Sequence, residues 1–144
     1  MDRIFGILIK QANNDIVRDA DKYAQTLGLT GMQMSIIDYV SRMENSENIF
    51  QKNIEKEFNI RRASATSALK LMEKNDLIVR VPMANDARLK RIILTPKSHQ
   101  VSKRIHKYFS DTERKIAETV GDKNVQIVKE SLANISRSFA DKKE

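Results

Sequence analysis

The sequence predicts a mainly α-helical protein that carries one small β-hairpin. Only 4 glycines and 2 prolines occur in 144 residues, so long helices can form without interruption. Apolar residues recur every three or four positions along most of the chain, which is the period of one helix face. Two short β-branched runs in the middle depart from this period and predict a pair of strands. The length is typical of a single domain, residues 1–144.

The first helix is expected from about Asp2 to Leu27, and Gly28 is predicted to end it, because glycine is favoured just after a helix. One apolar stripe follows steps of three and four; it consists of Phe5, Ile9, Ala12, Ile16, Ala20, Tyr23 and Leu27. In the first turns, the apolar residues between Ile4 and Ile9 surround most of the helix. A helix that is apolar on all sides is buried on all sides, so we expect it to pack against a partner subunit.

A second helix is expected to begin after Thr30, because Thr30 and Gln33 have the spacing of a capping box. Its predicted apolar face consists of Met32, Ile36, Ile37 and Val40. The polar residues 44–48 then form a loop.

A short third helix is predicted at Gln51–Phe58, anchored by Ile54 and Phe58. A turn at Asn59 and Ile60 separates it from a fourth helix at Arg62–Lys74. The residues of the fourth helix that are expected to face inward are Ala65, Ala68, Leu69 and Met72. Asn75 and Asp76 end this helix, because both residue types tolerate a left-handed backbone.

The hairpin is predicted from two strands, Leu77–Val81 and Arg91–Leu94, joined by a long basic tip at Pro82–Lys90. Thr95 and Pro96 supply a capping hydroxyl and a first-turn proline, so a fifth helix starts there and is expected to run to about Val120. Its inward residues are expected to be Val101, Ile105, Phe109, Ile116 and Val120.

Gly121 and Asp122 break the helical pattern, and a sixth helix is expected at about Lys123–Ala140. Its apolar residues alternate by three and four, as in a coiled-coil seam; they are Val125, Val128, Leu132, Ile135 and Phe139. The seam is interpreted as an intersubunit contact, with packing inside the same chain as the alternative.

Positive charge is concentrated in the middle of the chain, although the whole sequence has a net charge of only +7. Residues 61–104 carry 11 basic and 3 acidic side chains, whereas residues 1–60 carry 7 basic and 9 acidic ones. Residues 105–144 are nearly balanced, with 8 basic and 7 acidic side chains. A basic block of this kind predicts a surface that faces a polyanion such as nucleic acid; a solvated basic face is the alternative.

A short helix, a tight turn, a second helix and a basic hairpin, in this order, predict a winged helix-turn-helix. An α-helix fits the major groove of DNA, and the side chains of its first turns reach base edges. Lys70 is expected to meet a phosphate, and the arginine-containing wing is expected to enter a minor groove. The predicted DNA-binding residues are Gln51, Lys52, Arg61, Arg62, Ser64, Ala65, Thr66, Ser67, Lys70, Asp86, Arg88, Lys90 and Arg91.

Four segments in order resemble the MarR family of bacterial winged-helix transcriptional regulators. They are Leu29-Thr30-Gly31-Met32-Gln33, Gln51-Lys52-Asn53-Ile54, Leu71-Met72-Glu73-Lys74-Asn75-Asp76-Leu77-Ile78, and Asp86-Ala87-Arg88 followed by Ile92-Ile93-Leu94-Thr95. The resemblance covers nearly the whole chain.

The resemblance implies a homodimer with intertwined terminal helices, which places dimerisation in residues 1–28 and 97–144 and the winged helix-turn-helix in residues 30–96. It also implies that Arg88 is the minor-groove residue and that Asp86 positions it. Many members of the family bind a small anionic or aromatic effector and then release DNA.

Three positions depart from the common pattern of the family. Asp76 stands where a glycine is usual after the recognition helix. Arg61 stands where a Ser or Thr cap is usual before the fourth helix, and Phe50 stands where the short third helix usually has a Thr.

The sequence gives little support to catalysis or to metal binding. There is no cysteine, which excludes a thiol nucleophile, a zinc finger and a disulfide framework. His99 and His106 are roughly 10 Å apart along one helix face, which is too far to share an ion directly. We therefore predict no catalytic residue, no metal site and no cofactor. No apolar run reaches membrane-spanning length and no signal peptide is evident, so a cytoplasmic protein is expected.

The leading hypothesis is a homodimeric, sequence-specific DNA-binding transcriptional regulator, expected to be a repressor of a pseudo-palindromic operator and to respond to a small-molecule effector. Its expected partners are double-stranded DNA and a second copy of the chain, with no membrane. The alternative is a winged-helix interaction module whose basic block faces an acidic protein. A small-molecule binder or an enzyme is the third hypothesis, and no group of residues in the sequence supports it.

Overall fold

The computed structural model describes residues 2–140, and these residues form helices with one β-hairpin. Met1 and residues 141–144, which fall within the predicted dimerisation segments, lie outside the described residues. The elements in chain order are α1 (Phe5–Thr26), α2 (Gly31–Met43), α3 (Gln51–Phe58), α4 (Arg62–Lys74), β1 (Ile78–Met83), β2 (Asp86–Leu94), α5 (Pro96–Val120), a 3₁₀ turn (Asp122–Asn124) and α6 (Val125–Ser138). The mainly α prediction with one hairpin is therefore confirmed.

The chain divides into two compact units, residues 1–105 and residues 106–144, with the boundary inside α5. In the described residues, the fully buried apolar side chains all belong to the first unit. They come from the end of α1, from α2, α3 and α4, from the loop between α2 and α3, from the hairpin and from the first half of α5; examples are Ala24, Ile37, Ile49, Ile54, Leu69, Ile92 and Ile105.

Helix α2 begins with the predicted capping box. The backbone N–H of Gln33 donates to Thr30 Oγ1 (3.1 Å), and the backbone N–H of Thr30 donates to Gln33 Oε1 (3.0 Å). The predicted apolar face needs one correction, because Met32 is 38% exposed and Met34 is fully buried. Each residue turns a helix by about 100°, so a buried face centred near Ile37 has Met34 roughly 60° from its centre and Met32 roughly 140° from it, on the solvent side.

Helices α1, α3 and α4 end with the same backbone arrangement, in which a left-handed residue reverses the chain. The three left-handed residues are Gly28 (φ 72°), Asn59 (φ 50°) and Asp76 (φ 59°). After α4, for example, the N–H of Leu77 donates to the carbonyl of Met72 (2.9 Å) and the N–H of Asp76 donates to that of Glu73 (3.1 Å). These two bonds satisfy carbonyls that the helix leaves free.

The hairpin is longer and its tip shorter than the sequence predicts. Strand β1 reaches Met83 and β2 begins at Asp86, so only Ala84 and Asn85 form the turn. Pairing is regular from Ile78 opposite Leu94 to Pro82 opposite Lys90, and Met83 then pairs with Asp86. Residues 87–89 of β2 thus bulge without a partner in β1. The bulge accounts for the error, because it breaks the alternation by which the sequence marks a strand.

Helix α5 starts where it was predicted and is tied to the base of the hairpin. Thr95 Oγ1 donates to the carbonyl of Asp76 (2.7 Å) and accepts from the N–H of Ser98 (3.3 Å). The buried Ser98 hydroxyl donates to the carbonyl of Leu77 (2.6 Å). These bonds lock the first turn of α5 to the segment that joins α4 and β1.

In the second unit, Gly121 (φ 91°) ends α5 and a 3₁₀ turn precedes α6, so α6 begins two residues later than predicted. Lys129 of α6 forms an ion pair with Glu113 of α5. Val125 and Val128 of the predicted seam are half-buried, whereas Leu132, Ile135 and Phe139 are exposed. Within the described residues, no helix combines the length and the apolar character that crossing a membrane requires.

Candidate nucleic-acid interface

One open groove in the first unit brings together α3, the start of α4 and the wing formed by β1 and β2. Of the predicted DNA-binding residues, it is lined by Gln51, Lys52, Arg62, Thr66, Arg88 and Lys90. Phe50, Glu55, Arg80 and Leu89 complete the lining. Residues nearly forty positions apart in sequence therefore share one surface, because the turn at Asn59 folds α4 beside α3 and the hairpin returns the chain to both helices.

The first turns of α4 expose the side chains that the sequence assigns to base contact, with one correction. Arg62, Ser64 and Ser67 are exposed, and Thr66 is half-buried. Ala65 is fully buried and packs in the core, so the prediction of a contact residue at this position is wrong. Its side chain points to the opposite side of the helix from Ser64, Ser67 and the next exposed cation, Lys70, since each residue turns the helix by about 100°.

Two helix starts near the groove lack the hydroxyl cap that the resemblance leads one to expect. Arg61 occupies the N-cap of α4 with extended backbone (φ −74°, ψ 156°), and its side chain makes no capping bond. At α3 the cap is reversed: the backbone N–H of Phe50 donates to the side chain of Asn53 (2.8 Å). Both helices still begin at the predicted residues.

A hydrogen-bonded network crosses the groove from the wing to α4. Arg80 of β1 donates from Nε and Nη2 to Glu73 Oε1 (3.0 and 2.8 Å), and from Nη1 to Gln51 Oε1 (3.4 Å). Gln51 in turn donates from Nε2 to Thr66 Oγ1 (2.9 Å) and to the carbonyl of Arg62 (3.5 Å). This network joins β1, α3 and α4 through three side-chain links, with one further bond to the backbone of α4.

The wing presents Arg88 on the bulge of β2, with 91% of its side chain exposed. Asp86 holds it from two residues away: Asp86 Oδ1 accepts from the backbone N–H of Arg88 (3.0 Å) and from its Nε (3.2 Å), and Oδ2 accepts from Nη2 (3.4 Å). The expected contact between these two residues is present. Because the pair is exposed, it orients the guanidinium and adds little to stability.

Arg91 does not join the groove. Its Nη1 donates to Asn48 Oδ1 (3.1 Å) in the loop after α2, and the N–H of the neighbouring Ile92 donates to the carbonyl of Ile49 (2.7 Å). Arg91 therefore ties β2 to that loop and lines a separate depression with Glu44 and Asn48. Lys70 and Ser67 lie outside the groove lining as well, on the exposed side of α4.

Arg80 is the functional candidate that the sequence analysis missed. A usable signal was present, because Arg80 follows the buried Ile78 by two positions and a strand places such residues on the same face. A charged side chain on an inward face requires a partner, and Glu73 provides it. Leu89 gave no comparable signal, since its place in the groove depends on the bulge.

The two histidines do not form a metal site with neighbouring acids. His99 Nε2 lies 3.5 Å from Glu44 Oε1. Glu44 directly follows the C-terminal end of α2. In residues 2–140, no three or more His, Cys, Asp or Glu side chains are grouped to hold a metal ion.

Known proteins similar to this chain are transcription regulators. The sequence model of the MarR family matches residues 27–89. The structure resembles the transcription regulator MarR from Oenococcus oeni PSU-1 with a TM-score of 0.85 at 30% sequence identity, covering 93% of this chain and 99% of that one. Comparison with curated proteins gives no match.

Two further solved structures share the fold at lower identity. The S. aureus MepR–DNA complex has a TM-score of 0.86 at 18% identity, covering 96% of this chain and 100% of that one. The transcriptional regulator SlyA has a TM-score of 0.81 at 18% identity, covering 94% of each chain.

Proposed function

Because this chain belongs to the MarR family of transcription regulators, we propose that it binds a specific double-stranded DNA sequence as a homodimer and so controls transcription. The observation that carries the proposal is the groove between α3, α4 and the wing. Lys52, Arg62, Arg88 and Lys90 line it, and residues 61–104 carry 11 basic against 3 acidic side chains. A concave, cationic surface beside the exposed start of a helix suits a polyanionic duplex.

In this proposal, α4 enters the major groove with its first turns. Ser64 and Ser67 are short enough for close approach, and Arg62 can form paired hydrogen bonds with a guanine or a phosphate. Lys70, one turn beyond Ser67, meets the phosphate backbone, and Lys52, Arg61 and Lys90 add contacts to phosphates. Arg88, held by Asp86, enters the adjacent minor groove.

The homodimer is proposed from the terminal helices, residues 1–28 and 97–144, on either side of a DNA-binding region at residues 30–96. Helix α1 and the residue before it expose Ile4, Phe5, Ile7, Leu8 and Ile9. In the second unit, helix α6 has no buried residue and exposes Ile127, Leu132 and Ile135, and the exposed Phe139 follows it. Apolar surfaces of this kind are covered in a stable assembly, and a second copy of the chain is the occupant that the family resemblance supports.

Two regulatory details follow from the same family membership and belong to the proposal. The protein acts as a repressor in the cytoplasm, where its DNA is, and a small anionic or aromatic effector releases it. Neither catalysis nor a cofactor has a part in this scheme.

A competition experiment tests the proposed function. Duplexes are selected from a random-sequence library on the full-length protein, and the preferred duplex is then titrated at fixed salt against a scrambled duplex of equal length. We expect the preferred duplex to bind at least about 10³-fold more tightly. Equal affinity for both duplexes, together with retention on an acidic protein column, would instead favour the interaction module.

A further inference from the structure

Beyond the residues that the groove presents directly, we propose that Arg80 is a positioning residue for DNA recognition: it fixes the amide of Gln51 so that Thr66 donates its hydroxyl proton to an acceptor on a base edge. This inference deepens the proposed function and rests on it. The supporting observation is a series of hydrogen-bonded side chains that runs from Glu73 through Arg80 and Gln51 to Thr66.

Arg80 is held in one orientation before any DNA arrives. Its side chain is only 18% exposed, and two of its guanidinium nitrogens donate to the same oxygen of Glu73. Glu73 and Thr66 both belong to α4 and lie seven residues apart, so they occupy the same side of that helix two turns from each other. Arg80 thus links β1 to α4 at two positions. It bonds directly to Glu73, and it reaches Thr66 through the side chain of Gln51.

The guanidinium of Arg80 determines the orientation of the Gln51 side-chain amide. A guanidinium can only donate hydrogen bonds, so the atom of Gln51 that faces Arg80 must be the carbonyl oxygen. The amide nitrogen then faces α4, where it donates to Thr66 Oγ1 and to the carbonyl of Arg62. The oxygen and nitrogen of a glutamine side chain are otherwise exchangeable, and Arg80 removes this ambiguity.

The fixed amide in turn sets the polarity of Thr66. Because Thr66 Oγ1 accepts from Gln51, its own proton remains to be donated, and no residue in the described part of the chain accepts it. Thr66 lines the groove, next to Arg62 at the start of α4. A donor there matches the major-groove acceptors of DNA, which are N7 and O6 of guanine, N7 of adenine and O4 of thymine.

The two possible roles of Arg80, positioning Gln51 and contacting a phosphate directly, predict different effects of its loss on DNA affinity and on the salt dependence of that affinity. A lost phosphate contact weakens binding to every duplex alike and reduces the slope of log affinity against log salt by about one. A lost positioning residue leaves that slope unchanged and reduces the preference for the selected duplex over a scrambled one. The ratio of the two affinities, measured at several salt concentrations, therefore separates the two roles.

The experiment uses Arg80→Met, Thr66→Val and the double variant in the full-length protein, with duplexes selected on the wild type from a random library. We expect each single variant to lower the ratio of selected to scrambled affinity about tenfold at an unchanged salt slope, and the double variant to lose no more than Thr66→Val alone. Thr66→Ser, which keeps the hydroxyl, should restore the ratio.

Two control variants bracket the result. Lys70→Met, at an exposed cation of α4, should weaken both duplexes equally and flatten the salt dependence. Arg42→Met removes an arginine whose ion pair with Asp38 lies on α2, away from the groove, and should change neither quantity. If Arg80→Met does not fold, as judged by circular dichroism, Arg80→Lys replaces it, because lysine keeps the charge but lacks the fork that reaches both Glu73 and Gln51.

Three results would overturn the inference while the proposed function still holds. An unchanged ratio in the Arg80 variant removes the positioning role, and a salt slope reduced by about one makes Arg80 a phosphate contact instead. Additive losses in the double variant mean that Arg80 does not act through Thr66. If the wild type itself selects no preferred duplex, the proposed function fails as well, so the two failures are distinguishable.

Discussion

Arg88 and Asp86 show at the scale of single residues how the wing prepares a cation for recognition. Asp86 lies two residues before Arg88, on the same strand, and accepts from both its backbone and its guanidinium. Since the side chain of Arg88 is otherwise open to solvent, this contact limits its orientations before it meets DNA. Fewer orientations mean a smaller loss of side-chain entropy on binding.

Replacing Arg88 tests the role of the wing. We expect Arg88→Ala to weaken binding to the selected duplex by about 1–3 kcal/mol, because an arginine in a minor groove is lost. Thermal stability should stay the same, since the Asp86–Arg88 pair is exposed. Fluorescence titration of a labelled duplex measures the effect, and unchanged affinity would exclude the wing from the interface.

Individual residues also show where sequence reasoning was sufficient and where it was not. The capping box at Thr30 and Gln33 is a local pattern, so it could be predicted without knowing the fold. Ala65 was assigned both to the core and to DNA contact, and Arg80 was overlooked despite its spacing from Ile78, because the role of each depends on which face of α4 and of β1 meets the core. Those faces are set by contacts between elements that are distant in sequence.

At the scale of elements, helix ends were the most predictable features. Helices α3 and α4 have the predicted bounds, and α5 begins and ends where proline and glycine mark it. The hairpin was predicted with strands that were too short, because an irregular register at Pro82 and Met83 hides the pairing of residues near the tip. The lining of the groove was predicted incompletely for the same reason, since the bulge brings Leu89 into it.

The end of α4 offers a stability test of a single element. Asp76 has a left-handed backbone, which costs an L residue up to roughly 1–2 kcal/mol, while glycine costs about 0.4–1 kcal/mol through its freedom in the unfolded chain. We therefore expect Asp76→Gly to stabilise the protein by about 0.5 kcal/mol and to raise Tm by about 1–2 °C. Calorimetry measures the change.

The neighbouring residue supplies a matched control for this substitution. Asn75 has an ordinary backbone (φ −90°), so Asn75→Gly relieves no strain and should lower stability. Equal effects of the two substitutions would show that the left-handed backbone at Asp76 is not the cause.

At the scale of the whole molecule, the buried and the exposed apolar residues have different roles. The buried ones hold α2, α3, α4 and the hairpin together, whereas the start of α1 and much of α6 keep large apolar side chains in solvent. The sequence indicated this from the first turns of α1, which are apolar on nearly all sides. It could not indicate the groove, which arises only when α3, α4 and the wing are assembled.

A substitution in α1 tests whether a second copy covers the exposed apolar residues. Leu8 is exposed in the protomer, so Leu8→Glu should leave the protomer core intact while placing two carboxylates in a two-fold interface. Loss of two buried leucines, at roughly 1.5 kcal/mol each, predicts a dimer Kd raised about 100-fold or more. Sedimentation equilibrium measures the dissociation.

Gln25→Glu serves as the control, because Gln25 is an exposed polar residue of the same helix and the substitution adds the same charge. This variant should remain a dimer. A Leu8→Glu protein as dimeric as the wild type would place the subunit interface elsewhere.

The symmetry of the preferred DNA sequence shows whether two copies of the chain bind the duplex together. Duplexes selected by the wild-type protein are sequenced and footprinted with the protein bound. A homodimer that presents two copies of α4 predicts two inverted half-sites whose centres are about one helical turn, roughly 34 Å, apart, with protection of the flanking minor grooves. A single asymmetric site, or no preferred sequence, would show that the protein does not recognise DNA as a symmetric homodimer.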